Sequence, residues 1–208
     1  RTAISAMNRI DDRIGQLLVE IGDRLVDGIT DEDVDAWVDR TRALDGELDN
    51  AWALVRQAQE SGRMNPRRSA HELRDPRHWR GLLRRLEQSV AETRSMARTL
   101  GYHSASQQRW LVDFREDWPR LVGDAGRAST DADPEAIRET RERLNALVDG
   151  VGMLEPTPPL WPVYGALTVN LRNILDAMDE VAAANPLGQP PLPMSRLRER
   201  GRSARRPG

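Results

Sequence analysis

Any chemistry in this chain must come from a short list of side chains. Its 208 residues include no cysteine and only three histidines, and all 31 of its basic residues are arginine. Thiolate catalysis, disulfide bridges and cysteine-ligated metals are thereby excluded. A Schiff-base lysine and the lysine of a phosphate-binding loop are excluded as well, and no G-x-G-x-x-G is present. His71 and His78 stand seven apart with Pro76 between them, so they do not share a helix face, and no H-x-x-x-H pair offers zinc two ligands. His103 with Ser104 or Ser106 supplies a base and a hydroxyl. Sequence neighbours do not make a triad, however, and there is no nucleophile elbow. Asp31, Asp33 and Asp35 fill the first, third and fifth places of a calcium loop, which also needs glycine sixth and a bidentate glutamate twelfth. Those places hold Ala36 and Arg42. The expectation is a chain with no catalytic residue, metal or cofactor: not an enzyme.

Two constellations remain. Trp37, Trp52, Trp79, Trp110 and Trp118, five of the six tryptophans, fall on apolar stripes. They read either as core or as an aromatic ligand or partner surface, in which indoles stack on a ring and arginines hold its carboxylate. Arg63, Arg67, Arg68, Arg74, Arg77, Arg80, Arg84 and Arg85 form the densest basic block. A nucleic-acid-binding domain would carry a pI above ~9, and the pI of this chain is about 6.0, so nucleic acid is not the expected partner. A surface turned to anionic lipid head groups fits the block better, at ~1 kcal/mol for each arginine close to the membrane.

Helices must position these residues, because the apolar spacing is helical almost throughout. Met7, Ile10, Ile14, Leu17 and Ile21 step by three and four, the seam of a helix packed along a neighbour. Gly28 then reads as a left-handed stop and Thr30 as the cap of a second helix reaching about Glu60. The two form an antiparallel hairpin. Ser61 to Pro76 reads as a loop. A third helix carries Trp79, Leu83, Leu86, Val90 and Leu100, with Gly101 as its stop. A fourth is expected from Ser104 or Ser106, bearing Trp110, Phe114 and Trp118, and kinked or restarted at Pro119. Asp133-Pro134 caps a fifth, with Ile137, Leu144, Leu147, Val148, Val151 and Leu154 inward. Prolines 156, 158, 159 and 162 make an extended connector to a sixth helix from Val163 to about Ala184. The fold expected is all-α: an antiparallel bundle of about six helices over 1–185, with a disordered Pro/Arg-rich tail over 186–208.

Charge is placed unevenly along this frame. Residues 31–60 hold nine acids and three arginines, net −6, residues 61–100 ten arginines and four acids, net +6, and the tail is net +5. The opening at Arg1, with neither methionine nor the apolar core of a signal peptide, reads as a piece of a longer protein. No uncharged run is apolar and unbroken enough to span a bilayer.

Several strings carry a resemblance. They are Asp27-Gly28-Ile29-Thr30-Asp31-Glu32-Asp33, Leu44-Asp45-Gly46-Glu47-Leu48-Asp49-Asn50-Ala51-Trp52 and Arg63-Met64-Asn65-Pro66-Arg67. Trp161-Pro162-Val163-Tyr164-Gly165-Ala166-Leu167 follows, with Asn170-Leu171-Arg172-Asn173. Over residues 1 to 187 the chain resembles the C-terminal half of FUSC-type proteins, the aromatic acid exporter-like transporters of the bacterial inner membrane. The resemblance implies a domain on the cytoplasmic face of that membrane, partnered by a transmembrane half of the same polypeptide. Its work would be assembly, gating or substrate capture during movement of small aromatic or organic compounds, without covalent chemistry. Anionic lipid head groups and further copies of the chain are the other partners implied. The competing expectation is a stand-alone bundle serving as a protein-interaction scaffold.

Overall fold

The structure, a computed structural model, describes residues 3–64, 76–104, 109–153 and 160–184. These residues form an all-α bundle of six helices: α1 (Ala3–Asp27), α2 (Asp31–Met64), α3 (Pro76–His103), α4 (Val112–Thr130), α5 (Pro134–Gly152) and α6 (Trp161–Ala184). Residues 65–75, 105–108, 154–159 and 185–208, including Leu154, three of the connector prolines and the expected tail, lie outside the described set.

The local signals that end and start helices work where they depend only on neighbouring residues. Gly28 takes φ +98°, a left-handed turn that costs an L side chain ~1 kcal/mol or more. Thr30 and Asp33 then form a reciprocal cap: the Asp33 N–H donates to Thr30 Oγ1 at 3.2 Å, and the Thr30 N–H donates to Asp33 Oδ2 at 2.9 Å. The Thr30 N–H and hydroxyl hold the Asp33 carboxyl below its ordinary range, with Arg24 assisting. At α5, Asp133 accepts from the Glu135 and Ala136 N–H groups with Pro134 at the first helical position, the pairing that leaves fewest orphan donors.

Polar contacts fix the packing as antiparallel. Glu20 of α1 accepts from Trp37 of α2 at 3.1 Å and pairs with Arg40. Arg94 of α3 meets Asp45 of α2. Arg85 of α3 meets Glu180 of α6 at 2.7 Å, Arg143 of α5 meets Asp124 of α4 at 2.7 Å, and Arg141 of α5 holds Asp176 and Asp179 of α6. The closest pairing joins α1 to α4, far apart in sequence. There Gly15 faces Gly126, and Gly22 faces Gly123 and the Pro119 carbonyl, with no room for a Cβ on Gly15, Gly22 or Gly126. One core cluster runs through all six helices.

Five expectations need correction. Helix α2 runs through Ser61 and Gly62 to Met64, so the loop does not begin at Ser61. Gly101 lies within α3: a Cβ there would stand 2.8 Å from Val34 Cγ1, so the missing side chain admits α2 and does not end the helix. Ser104 closes the end of α3, donating to the Gly101 carbonyl, and α4 begins only at Val112, leaving Trp110 just ahead of it. Pro119 sits inside an unbroken α4 and is buried there, its backbone carbonyl against Gly22 of α1, so it does not restart the helix. Pro162 stands in the first turn of α6, where a proline forfeits no helical hydrogen bond.

Antiparallel packing gives the bundle two ends. One holds Ala3, Met64, Pro76, the α4–α5 turn and Ala184. The other holds the Gly28 turn, His103, Val112, Gly152 and Trp161.

Candidate functional site

The tryptophans divide by environment. Trp37 and Trp118 are fully buried, Trp110 and Trp79 are 4% and 8% exposed, and Trp52 packs half-buried against the core. Trp110, Phe114, Trp118 and Tyr164 form one aromatic cluster: Phe114 lies 4.4 Å from Tyr164 and 5.8 Å, nearly parallel, from Trp118. Trp110 stands edge-on to Phe114 and Tyr164. The Tyr164 hydroxyl accepts the Leu111 N–H at 2.9 Å, satisfying one donor at the start of α4, where Leu111 offers no side-chain cap. Trp37 donates to Glu20, whereas the indole N–H groups of Trp79, Trp110 and Trp118 find no acceptor among the described residues.

Of the arginine block, Arg63, Arg77, Arg80, Arg84 and Arg85 stand on α2 and α3 toward the end that carries Ala3 and Ala184. Arg63 falls in the last turn of α2 and Arg77 in the first turn of α3. Arg67, Arg68 and Arg74 lie outside the described residues. Of the remainder, Arg80 donates to Gln59 at 2.7 Å, and Arg85 is spent on Glu180 and Gln88. Arg84 is exposed, with no hydrogen bond or ion pair among the described residues. The block is thus part inter-helix clasp and part free charge.

Two surface concavities stand out among the described residues. One, about 360 Å³, lies at the opposite end between α1 and α4, where Leu25, Val26 and Gly28 meet Arg115, Glu116 and Arg120. The other, about 300 Å³, follows α3 from Ala91 through Arg94 and Arg98 to Tyr102. Neither is lined by a tryptophan. Among the described residues no three histidine, aspartate or glutamate side chains converge on a metal position, and no helix is long and apolar enough to cross a membrane.

The strongest polar constructions are ones that the sequence does not single out. Glu92 of α3 accepts from the side-chain amides of Asn170 and Asn173 of α6 at 2.7 and 2.8 Å. Arg94 donates Nε to Thr41 Oγ1 at 3.0 Å, and Nη2 to the Thr41 carbonyl at 2.9 Å and to both Asp45 oxygens at 2.7 Å. Asp11 sits buried where α1, α4 and α6 meet, accepting from Ser129. The available signals were an aspartate one residue past Ile10 on an otherwise apolar seam, and asparagines spaced i, i+3 on the most apolar helix. Arg94→Lys keeps the charge but loses the planar fork. It is expected to cost about 2 kcal/mol, the scale of hydrogen bonds to charged groups, read as a lower urea midpoint at unchanged slope.

Comparison with known proteins finds no matching family model, no matching curated relative and no matching solved structure. The class defined by fold and site is therefore an all-α six-helix bundle with an arginine-bearing end.

Proposed function

We propose that this chain is the helical-bundle domain of an inner-membrane transporter of small aromatic or organic compounds. It would stand on the cytoplasmic face and serve assembly, gating or substrate capture. The observation that carries this reading is the shared end of the bundle: α1 starts and α6 finishes where the arginine block of α2 and α3 gathers. A transmembrane half joined ahead of Ala3 would thus bring the unspent arginines against anionic head groups. Of the strings behind the FUSC resemblance, the first spans the α1–α2 turn and the last lies in α6, where the Asn170 and Asn173 amides donate to Glu92.

The test is flux. The full-length gene, expressed with and without the region 3–184, should differ in transport of aromatic acids, and equal flux would overturn the reading. A narrower measurement bears on the basic end. Arg80→Gln combined with Arg84→Gln should weaken binding of the chain to phosphatidylglycerol vesicles roughly thirtyfold, at ~1 kcal/mol for each arginine. Binding to phosphatidylcholine vesicles should not change.

A second reading, the protein-interaction scaffold, draws on the other end. Tyr102 and Met153 are 86% and 82% exposed, and Val26 and Val112 lie bare beside them at the helix ends. An upstream reading frame without hydrophobic helices would favour it.

A further inference from the structure

Asp11 is 9% exposed on a face of α1 otherwise made of Met7, Ile10, Ile14 and Leu18. Ser129 of α4 points its hydroxyl at it, with Ser129 Oγ 3.0 Å from Asp11 Oδ1 and 3.1 Å from the Met178 sulfur of α6. Ser129 and Met178 are themselves buried. No cation reaches the carboxyl among the described residues. α4 faces it with Ser129 and α6 with Met178, neither of them ionisable. The nearest charges on those helices are tied elsewhere, Arg127 to Asp124 and Asp179 to Arg141, and Asp131 lies exposed past the end of α4. Asp12, next along α1, is the charge that acts on it.

One turn further along α1, Gly15 lies against Gly126 and Thr130 so closely that an added Cβ would meet Thr130 Oγ1 at 2.4 Å and the Gly126 carbonyl at 2.8 Å. The Gly126 backbone lies directly against α1 there, with the Thr130 side chain packed beside it.

We propose that the junction of α1, α4 and α6 is a proton-operated latch, closed while Asp11 is neutral and loosened when Asp11 ionises. A neutral carboxyl brings no charge into the junction, so its burial there costs far less. A carboxylate in the same place lacks a counter-charge, and one serine hydroxyl does not replace its lost hydration. Water must then enter, and it enters beside a seam that has no slack. Burial pushes the Asp11 carboxyl from 3.8 up to about 7, with the Ser129 hydrogen bond pulling it down and Asp12 pushing it up. The sign follows. Between about 4 and about 7 the folded chain holds a proton that the unfolded chain has released, so stability falls as pH rises through that window. Each pH unit within it multiplies the unfolding constant by up to ~10. The latch therefore works near neutral pH, where histidine usually supplies such a switch.

The experiment is a carbon NMR titration of the aspartate carboxyls in the whole chain, alongside amide hydrogen exchange of α1 and α4 across the same pH range. The expected results are an Asp11 midpoint near 7 and protection that falls with rising pH after correction for intrinsic exchange. Asp11→Asn should flatten that dependence. If Asp11→Asn does not fold, Ser129→Ala, which removes the bond favouring the ionised form, should move the Asp11 midpoint higher. A midpoint in the ordinary carboxylate range would overturn the latch, as would the same pH dependence in chains with and without the carboxyl.

Discussion

Gly126→Ala is expected to lower the melting temperature by on the order of 4–8 °C, while Gly150→Ala raises it. Both glycines are helical, and in both cases alanine gains ~1 kcal/mol of helix propensity. At Gly150 nothing lies within 4 Å of the new methyl, so the gain stands. At Gly126 the methyl would sit 2.4 Å from the Gly15 carbonyl oxygen and 2.8 Å from the Val19 nitrogen. Both obstacles are backbone, so relief means moving α1 as a body, and that strips contact from a seam running to Gly22 and Pro119. Forced methyls in packed cores cost ~1–3 kcal/mol and sometimes more. The upper part of that range, less the propensity gain, gives about 2 kcal/mol, and a chain of this size shifts ~2–4 °C for each kcal/mol. Differential scanning calorimetry of the two variants reads the contrast directly. A rise in melting temperature for both variants would mean that α1 and α4 do not touch at backbone distance.

The same seam shows why parts of this molecule could be read from its sequence and others could not. Gly28, Thr30 with Asp33, and Asp133 with Pro134 act on residues within one turn of themselves, and each does in space what its type suggests. Gly101 and Pro119 are of the same residue types that end helices, yet both lie inside them. What decides their role is the partner surface: Val34 across from Gly101, and Gly22 across from Pro119. Asp11 and Ser129 are 118 residues apart, and no local pattern reveals which helix face will meet which. The arginine block was legible as composition but not as allocation, since Arg85 is spent on Glu180 and Arg84 is not. The α6 tyrosine that accepts the Leu111 N–H carried no sequence signal of that role.

The two ends of the bundle bear on function in different ways. At the basic end the pairs that hold helices together involve Arg80 and Arg85, so charge reversal there would weaken folding as well as any membrane contact. Of Arg80, Arg84 and Arg85, Arg84 alone can be changed with little structural effect, because exposed groups without partners contribute little to stability. It is accordingly the cleanest probe of the lipid-facing reading.

Trp118→Ala is expected to cost about 4 kcal/mol, whereas Trp118→Phe costs about 1 kcal/mol or less. The indole is fully buried and lies nearly parallel to Phe114 at 5.8 Å. Truncation to alanine removes that contact and leaves a cavity walled by helices that cannot close on it, a loss of ~3–5 kcal/mol for a buried tryptophan. Phenylalanine keeps the ring and its stacking. It also discards an indole N–H that has no acceptor among the described residues, and a buried unmet donor is a liability of ~1–3 kcal/mol, which offsets the lost volume. Trp37 provides the opposite case: its N–H donates to Glu20 at 3.1 Å, so Trp37→Phe should be the more costly of the two phenylalanine substitutions. Urea unfolding of the three variants separates a packing role from a binding one. Tryptophans kept for a stacked ligand would tolerate truncation in the free chain, with near-native midpoints. Midpoints that drop in the order Trp118→Ala, Trp37→Phe, Trp118→Phe would assign these rings to holding α4, α6 and the α1–α2 hairpin together.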